Sequence, residues 1–241
     1  MPGIKIAGVS FSGAEFLPPA KSAVNQLIAG GTSRGFYTAD SRWCTISDLK
    51  EIDVFRTRDV SGFTLTPASG KAQLGITSGI AQEAADFTSS PYVHSYSKPY
   101  GSGWAFGFAF KPESHTSDQF LMAVTGFDIR IPASTSNLVL RYNGATEMTI
   151  PITHGSWTSI FCGYPGTKMR AWKNGVQVGD VNTTDVAQAA SFLHLGGDMS
   201  NAFPWRGWIS DVIIYSRYEP AFNVNLPQAW HDYVKVNYGI A

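Results

Sequence analysis

Glu51-Ile52-Asp53-Val54-Phe55 is the stretch of this 241-residue chain that comes nearest to catalytic equipment. On a strand, alternation puts Glu51 and Asp53 on one face. Retaining glycoside hydrolysis needs a nucleophile and an acid/base on the two sides of the scissile bond. Arg56 follows Phe55, however, and no second Glu comes after it. The segment therefore reads as an edge strand with solvated charges. Gly31-Thr32-Ser33-Arg34-Gly35 satisfies G-x-S-x-G. A nucleophile elbow needs a buried strand before the Ser and a helix after it. Neither is predicted there, and the stretch reads as a flexible linker. The five histidines, His94, His115, His154, His194 and His231, form no H-x-H or H-E-x-x-H pattern. Cys44 and Cys162 cannot make a structural zinc site alone and read as two reduced, partly buried thiols. The residues thus predict no enzyme.

Binding chemistry is better represented. Sugar recognition needs an exposed aromatic platform and convergent polar groups. Tyr92, Tyr96, Tyr100 and Trp205 sit in or beside predicted loops, near Ser, His and Asn residues including Asn201. These are the candidate carbohydrate-binding residues. Loop aromatics of this kind also serve as interface anchors.

Composition narrows the field. Eighteen basic residues balance eighteen acidic ones, which leaves no electrostatic footprint for nucleic acid or an anionic membrane. No apolar run approaches the ~20 residues that span a bilayer. The N-terminus, Met-Pro-Gly-Ile-Lys-Ile-Ala-Gly, lacks the apolar core of a signal peptide, so cytoplasmic synthesis is expected. Charged residues are only 15% of the chain and aromatics 13%, which suits apolar strands joined by tight turns.

The elements that must position these residues are mostly strands. Residues 1–34, punctuated by Pro18-Pro19 and Gly30-Gly31, read as an arm with little core of its own, ordered against a partner. Beyond it, Trp104, Phe106, Phe108 and Phe110 alternate with Ala105, Gly107 and Ala109. The aromatic face must be core, and the small face lets another layer approach closely. Phe120–Thr125, Phe127–Ile131, Leu138–Tyr142, Thr146–Ile152, Trp157–Tyr164 and Lys168–Lys173 follow at short spacing, with turns at Asn143-Gly144 and Pro165-Gly166. Gly207–Tyr215 is apolar on both faces and belongs near the middle of a sheet. Ser47–Lys50 reads as a helical turn capped by Ser47. Leu226, Ala229, Trp230 and Tyr233 fall at helical spacing before Gly239, which predicts one C-terminal amphipathic helix. The fold class expected is all-β, a two-sheet antiparallel jelly-roll sandwich, with an N-terminal arm and a short C-terminal helix.

Several landmarks in order resemble the concanavalin A-like lectin/glucanase superfamily in its laminin-G-like branch. They are Phe36-Tyr37-Thr38-Ala39-Asp40, Asp59-Val60-Ser61-Gly62, Phe87–Val93, Trp104–Lys111, Trp157–Phe161 with Met169–Val176, Leu193–Gly197 and Phe203–Arg217. The closing Asn237-Tyr238-Gly239 resembles the end of many bacterial and phage members. The resemblance spans residues 35–241 and implies a jelly-roll domain there, with 1–34 as an anchor. Some glucanases of the superfamily carry E-I-D-x-x-E, which Glu51–Arg56 does not complete. Many members bind calcium in loops, for which Asp198, Ser200 and Asn201 are weak candidates; a plain polar loop and no cofactor are expected. The expectation that follows is a non-enzymatic bacteriophage virion structural protein, made in the host cytoplasm. It would join other virion proteins through the arm, as a homo-oligomer within an assembly, and offer the sandwich to a surface glycan. A bacterial carbohydrate-binding module or lectin is the alternative, and a glycoside hydrolase a more distant one.

Overall fold

The computed structural model describes residues 27, 32–58, 64–78, 82–88, 93–98, 104–142, 144, 146–164, 168–183, 191–200, 202–217 and 226–240. Strands come first: β1 Thr32–Thr38, β2 Cys44–Ile46, β3 Ile52–Arg56, β4 Thr64–Ser69, β5 Gln73–Ile76, β6 Glu83–Asp86 and β7 Val93–Lys98. The central run is β8 Trp104–Pro112, β9 Gln119–Val124, β10 Phe127–Ile131, β11 Asn137–Tyr142 and β12 Thr146–Pro151. Then follow β13 Thr158–Tyr164, β14 Lys168–Lys173, β15 Val176–Asn182, β16 Ser191–Leu195, β17 Gly207–Arg217 and the helix α1, Leu226–Tyr238. No described helix is long and apolar enough to cross a membrane.

Two antiparallel sheets result. One runs β15-β14-β13-β8-β17-β6-β5, with β1 paired to β17 beyond β6. The other runs β12-β11-β10-β9-β16-β7-β4-β3-β2. The predicted jelly-roll sandwich is therefore observed. Trp104, Phe106, Phe108 and Phe110 all lie in the core between the sheets, packed against Leu121, Phe127, Ile129 and Leu140. Burying such aromatic rows is the main favourable term of the fold.

The small face of β8 meets the layer its composition predicts. Helix α1 covers it, forming a second core of Ala105, Ala109, Phe161, Ile213, Tyr215, Trp230, Tyr233 and Val234. A Cβ on Gly107 would lie 2.9 Å from the Trp230 ring, so only glycine lets the helix come this close. Gly239, at φ 66°, ends the helix by donating its N–H to Lys235 O at 2.9 Å.

Three local expectations need correction. Thr32–Gly35 is strand in register with β17, not linker, because its backbone groups pair there. The strand thus crosses the expected boundary at residue 34. Leu27 is fully buried in the second core, and its carbonyl accepts from Tyr215 Oη at 2.7 Å; residues 1–26 lie outside the described residues. Ser47–Lys50 is a hairpin turn between β2 and β3, with Lys50 at φ 60°, rather than a helical turn. Finally, β3 is not an edge strand, since β2 and β4 flank it.

Candidate functional site

The two sheets treat their outer faces differently. The eight-stranded sheet is roofed by α1, whereas among the described residues no helix covers β9, β10 and β11. Strand β10 reads Phe127, Asp128, Ile129, Arg130, Ile131, with the apolar residues buried in the core and the charged pair half-buried on the outside. Register then assembles a constellation. Asp128 pairs with Arg141 on β11 and with Ala123 on β9; Arg130 pairs with Phe120; Arg141 pairs with Glu147 on β12. Over this floor folds the loop after β16, bringing Asp198, Met199 and Phe203. The resulting cleft has a volume of about 470 Å³ and also touches Asp118 and the turn glycines Gly126 and Gly144. That size suits a small organic ligand.

The floor is a charge network. Arg141 donates to Asp128 Oδ2 from Nε at 2.9 Å and from Nη2 at 2.8 Å. Arg130 reaches Asp118 Oδ2 at 3.5 Å, Glu147 Oε1 at 3.4 Å and Asp128 Oδ1 at 3.8 Å. Burial pushes the Asp128 carboxyl above its usual range, opposed by Arg141 and Arg130. Its wall is aromatic. Phe203 is 41% exposed, and its ring lies 5.9 Å from that of Phe120, which in turn lies under the Arg130 guanidinium at 6.0 Å. Paired charges beside an exposed ring offer directional hydrogen bonds and an apolar surface in one place.

Trp205, expected as the exposed platform, is instead fully buried, with its ring edge-on to Phe110 at 5.5 Å. Its backbone N–H donates to Gly196 O at 2.9 Å, which makes it the foot of the loop rather than its surface. The exposed ring sits two residues earlier, at Phe203. Tyr96 lies on β7 in register with the buried Leu193. Tyr92, Tyr100 and Asn201 lie outside the described residues. Asp198 does rim the cleft, but its oxygens are committed to the loop. Oδ1 accepts from Ala202 N at 2.6 Å and Phe203 N at 3.2 Å, and Oδ2 accepts from the Ser200 hydroxyl. Burial works to raise its pKa, but these hydrogen bonds outweigh it and hold the carboxyl below its usual value. That is a loop clasp, and among the described residues no group of three His, Cys, Asp or Glu could hold a metal ion.

The remaining expected chemistry is dispersed. Glu51 and Asp53 do share a face, and Lys71 Nζ closes on them at 3.6 and 2.6 Å at the surface. His115 and His154 line a smaller hollow of about 290 Å³ with Ser and Thr residues. His154 Nε2 donates to Thr135 O at 2.9 Å, and His115 Nδ1 accepts from Ser117 N at 3.1 Å, so both rings tie down loops. Cys44 and Cys162 are free and buried, and burial pushes the Cys44 thiol up to about 12. Asp211 lies mid-strand under α1, fully buried, and accepts from Tyr233 Oη at 3.3 Å. Sequence reasoning missed Asp128, Arg130, Arg141 and Phe203. The available signal was the apolar/charged alternation of Phe127–Ile131, a strand with one face in the core and one in water.

No curated protein matches the chain in sequence. Solved structures do. Domain 4 of AbnA, a GH43 extracellular arabinanase from Geobacillus stearothermophilus, in complex with arabinotriose, is similar at a TM-score of 0.61 and 15% identity, over 84% of this chain and 98% of that one. A Trypanosoma rangeli sialidase mutant with trans-sialidase activity is similar at 0.58 and 11% identity, over 88% of this chain and 38% of its own. The receptor binding domain of a botulinum neurotoxin C/D mosaic serotype is similar at 0.57 and 10% identity, over 84% and 52%. At such identities the likeness is one of fold. The family model described as the concanavalin A-like lectin/glucanases superfamily matches residues 69–221, which takes in β8 to β17 and all of the cleft. With the two-sheet jelly roll and the landmarks of β8, β16 and β17 in place, the chain belongs to the concanavalin A-like lectin/glucanase superfamily.

Proposed function

We propose that this chain is a non-enzymatic glycan-binding module, and that the cleft on the outer face of β9–β11 is its site. The observation that carries the reading is the exposed Phe203 ring standing beside the Asp128–Arg141–Arg130 floor. An aromatic ring covers the C–H face of a sugar while fixed charged groups take its hydroxyls. The arabinanase domain solved with arabinotriose has this fold over nearly its whole length, which supports a binding role.

Hydrolysis is the second reading, because burial raises the Asp128 carboxyl as a general acid requires. A general acid must also point its proton at the leaving oxygen. Asp128 Oδ2 instead accepts two N–H groups from Arg141. That geometry favours an acceptor over an acid, and so binding over cleavage.

The wider setting proposed with it is a bacteriophage virion in which the residues before Leu27 anchor the module to its neighbours; the Pro18-Pro19 punctuation of that stretch is what suggests an arm. The bacterial lectin alternative would use the same cleft. Because Leu27 and β1 belong to the packed domain, a deletion testing the arm should stop short of them. Removal of residues 1–24 is expected to leave a folded module that no longer enters its assembly.

The site is tested by screening the purified protein on an array of neutral and acidic oligosaccharides, with product analysis of every ligand bound. Saturable binding without cleavage, weakened about tenfold in Phe203→Ala, is the expected result. Cleavage products abolished by Asp128→Asn would establish the hydrolase reading instead. Binding untouched by Phe203→Ala would move the site elsewhere.

A further inference from the structure

We infer that the ligand of this cleft is an oligosaccharide without acidic groups, held through its hydroxyls and not through a carboxylate or sulfate; the inference rests on the glycan-binding reading above. The charges of the site are already spent on one another. Arg130 faces Asp118, Glu147 and Asp128, and Arg141 gives two nitrogens to Asp128. The other oxygen of Asp118 accepts the Ala133 N–H at 2.8 Å. Asp198 is clasped by Ser200, Ala202 and Phe203. Four carboxylates thus stand against two guanidiniums among these residues.

An acidic sugar would find no guanidinium free of a carboxylate, and would meet a surplus of negative charge at close range in a half-buried site. A hydroxyl behaves differently. It donates and accepts at once, so it can sit beside a paired Asp and Arg, using a spare lone pair on one and a spare N–H on the other, without adding charge. Adjacent hydroxyls on a sugar ring repeat this pattern. Phe203 and Met199, 41% and 48% exposed, offer the apolar surface that the C–H face of such a ring needs.

Matched pairs test the inference: lactose against sialyllactose, and galactotriose against trigalacturonate, titrated calorimetrically into the full chain at about 0.05 and 0.5 M salt, where screening differs strongly. The neutral member of at least one pair should bind, with an affinity nearly independent of salt. Its acidic partner should bind at least about tenfold more weakly. In the double variant Asp118→Asn/Glu147→Gln, which leaves Arg130 facing Asp128 alone, that discrimination should shrink. Tighter binding of an acidic member, falling as salt rises, would overturn the inference and leave the glycan-binding reading standing. Failure of these ligands and of the wider neutral and acidic array to bind would overturn both.

Discussion

The two outer faces of the sandwich carry similar residues in opposite circumstances. On the roofed face, Asp211 is fully buried beneath α1. Tyr233 donates to its Oδ1 at 3.3 Å, and Arg58 donates to Tyr233 Oη at 2.9 Å and to Thr38 Oγ1 at 3.1 Å. The Arg58 guanidinium also stacks on Phe36 at 4.8 Å. On the open face, no helix among the described residues covers Asp128 and its arginines, and Phe203 stands exposed beside them. A carboxylate, an arginine and aromatic rings can therefore be cement or site. What decides is whether another layer covers them. Glycine at 107 and alanines at 105 and 109 invite that layer on one face. On the other, Asp128, Arg130 and Arg141 put charge on the outer face.

The comparison breaks most visibly at Trp230. Trp230→Ala removes the side chain that fills the hollow over Gly107 and should cost about 3–5 kcal/mol in urea unfolding. Phe203→Ala, on the open face, should cost well under about 1 kcal/mol. Similar losses would mean that the loop is a structural element rather than a binding wall.

The buried carboxylate should also make the roofed face sensitive to pH. Burial, opposed by hydrogen bonds from Thr38, Tyr238 and Tyr233 and by the charge of Arg58, raises Asp211 from 3.8 to about 6. The folded state then holds this proton more tightly than the unfolded chain. The stability it contributes is present below pH 3.8 and is lost as pH rises through about 6. The difference is about 3 kcal/mol, from roughly 1.36 kcal/mol per unit. Asp211→Asn should therefore flatten the stability difference between pH 4 and pH 7 relative to wild type. An unchanged pH profile would show that Asp211 titrates normally.

Smaller effects sharpen the open face. Arg141→Gln leaves Asp128 short of donors and should lower stability by about 1–2 kcal/mol, while weakening glycan affinity. Phe203→Ala should weaken affinity by about tenfold with stability almost intact. A variant that loses both in proportion would be merely unfolding. Smallest of all, Cys44 and Cys162 should stay unreactive toward a thiol reagent until the protein is unfolded, because burial keeps both as thiols. Rapid labelling of the native protein would show that the sandwich opens.

The framework was legible because it is written in alternation. The aromatic row of β8 faces the core, the small row faces the helix, and β10 and β14 fall where periodicity puts them. Strands β2, β4, β5 and β6 were missed because they are short and rich in Thr, Pro, Gly or Ala, with little hydrophobic pattern to read. The site was less legible for a different reason. Asp128 and Arg141 are thirteen residues apart and meet only through hairpin register. Phe203 reaches them from a loop beyond β16, and a loop has no period from which to tell its inward ring, Trp205, from its outward one.

The central claim is that the open face binds and the roofed face does not. Hydrogen exchange of the full chain, with and without a saturating neutral trisaccharide returned by the array, tests it directly. The account predicts slowed exchange confined to the loop at 198–203, to β9–β11 and to their turns, with α1 unchanged. Protection over α1 and β13, or at the His115–His154 hollow with the cleft unaffected, would contradict it.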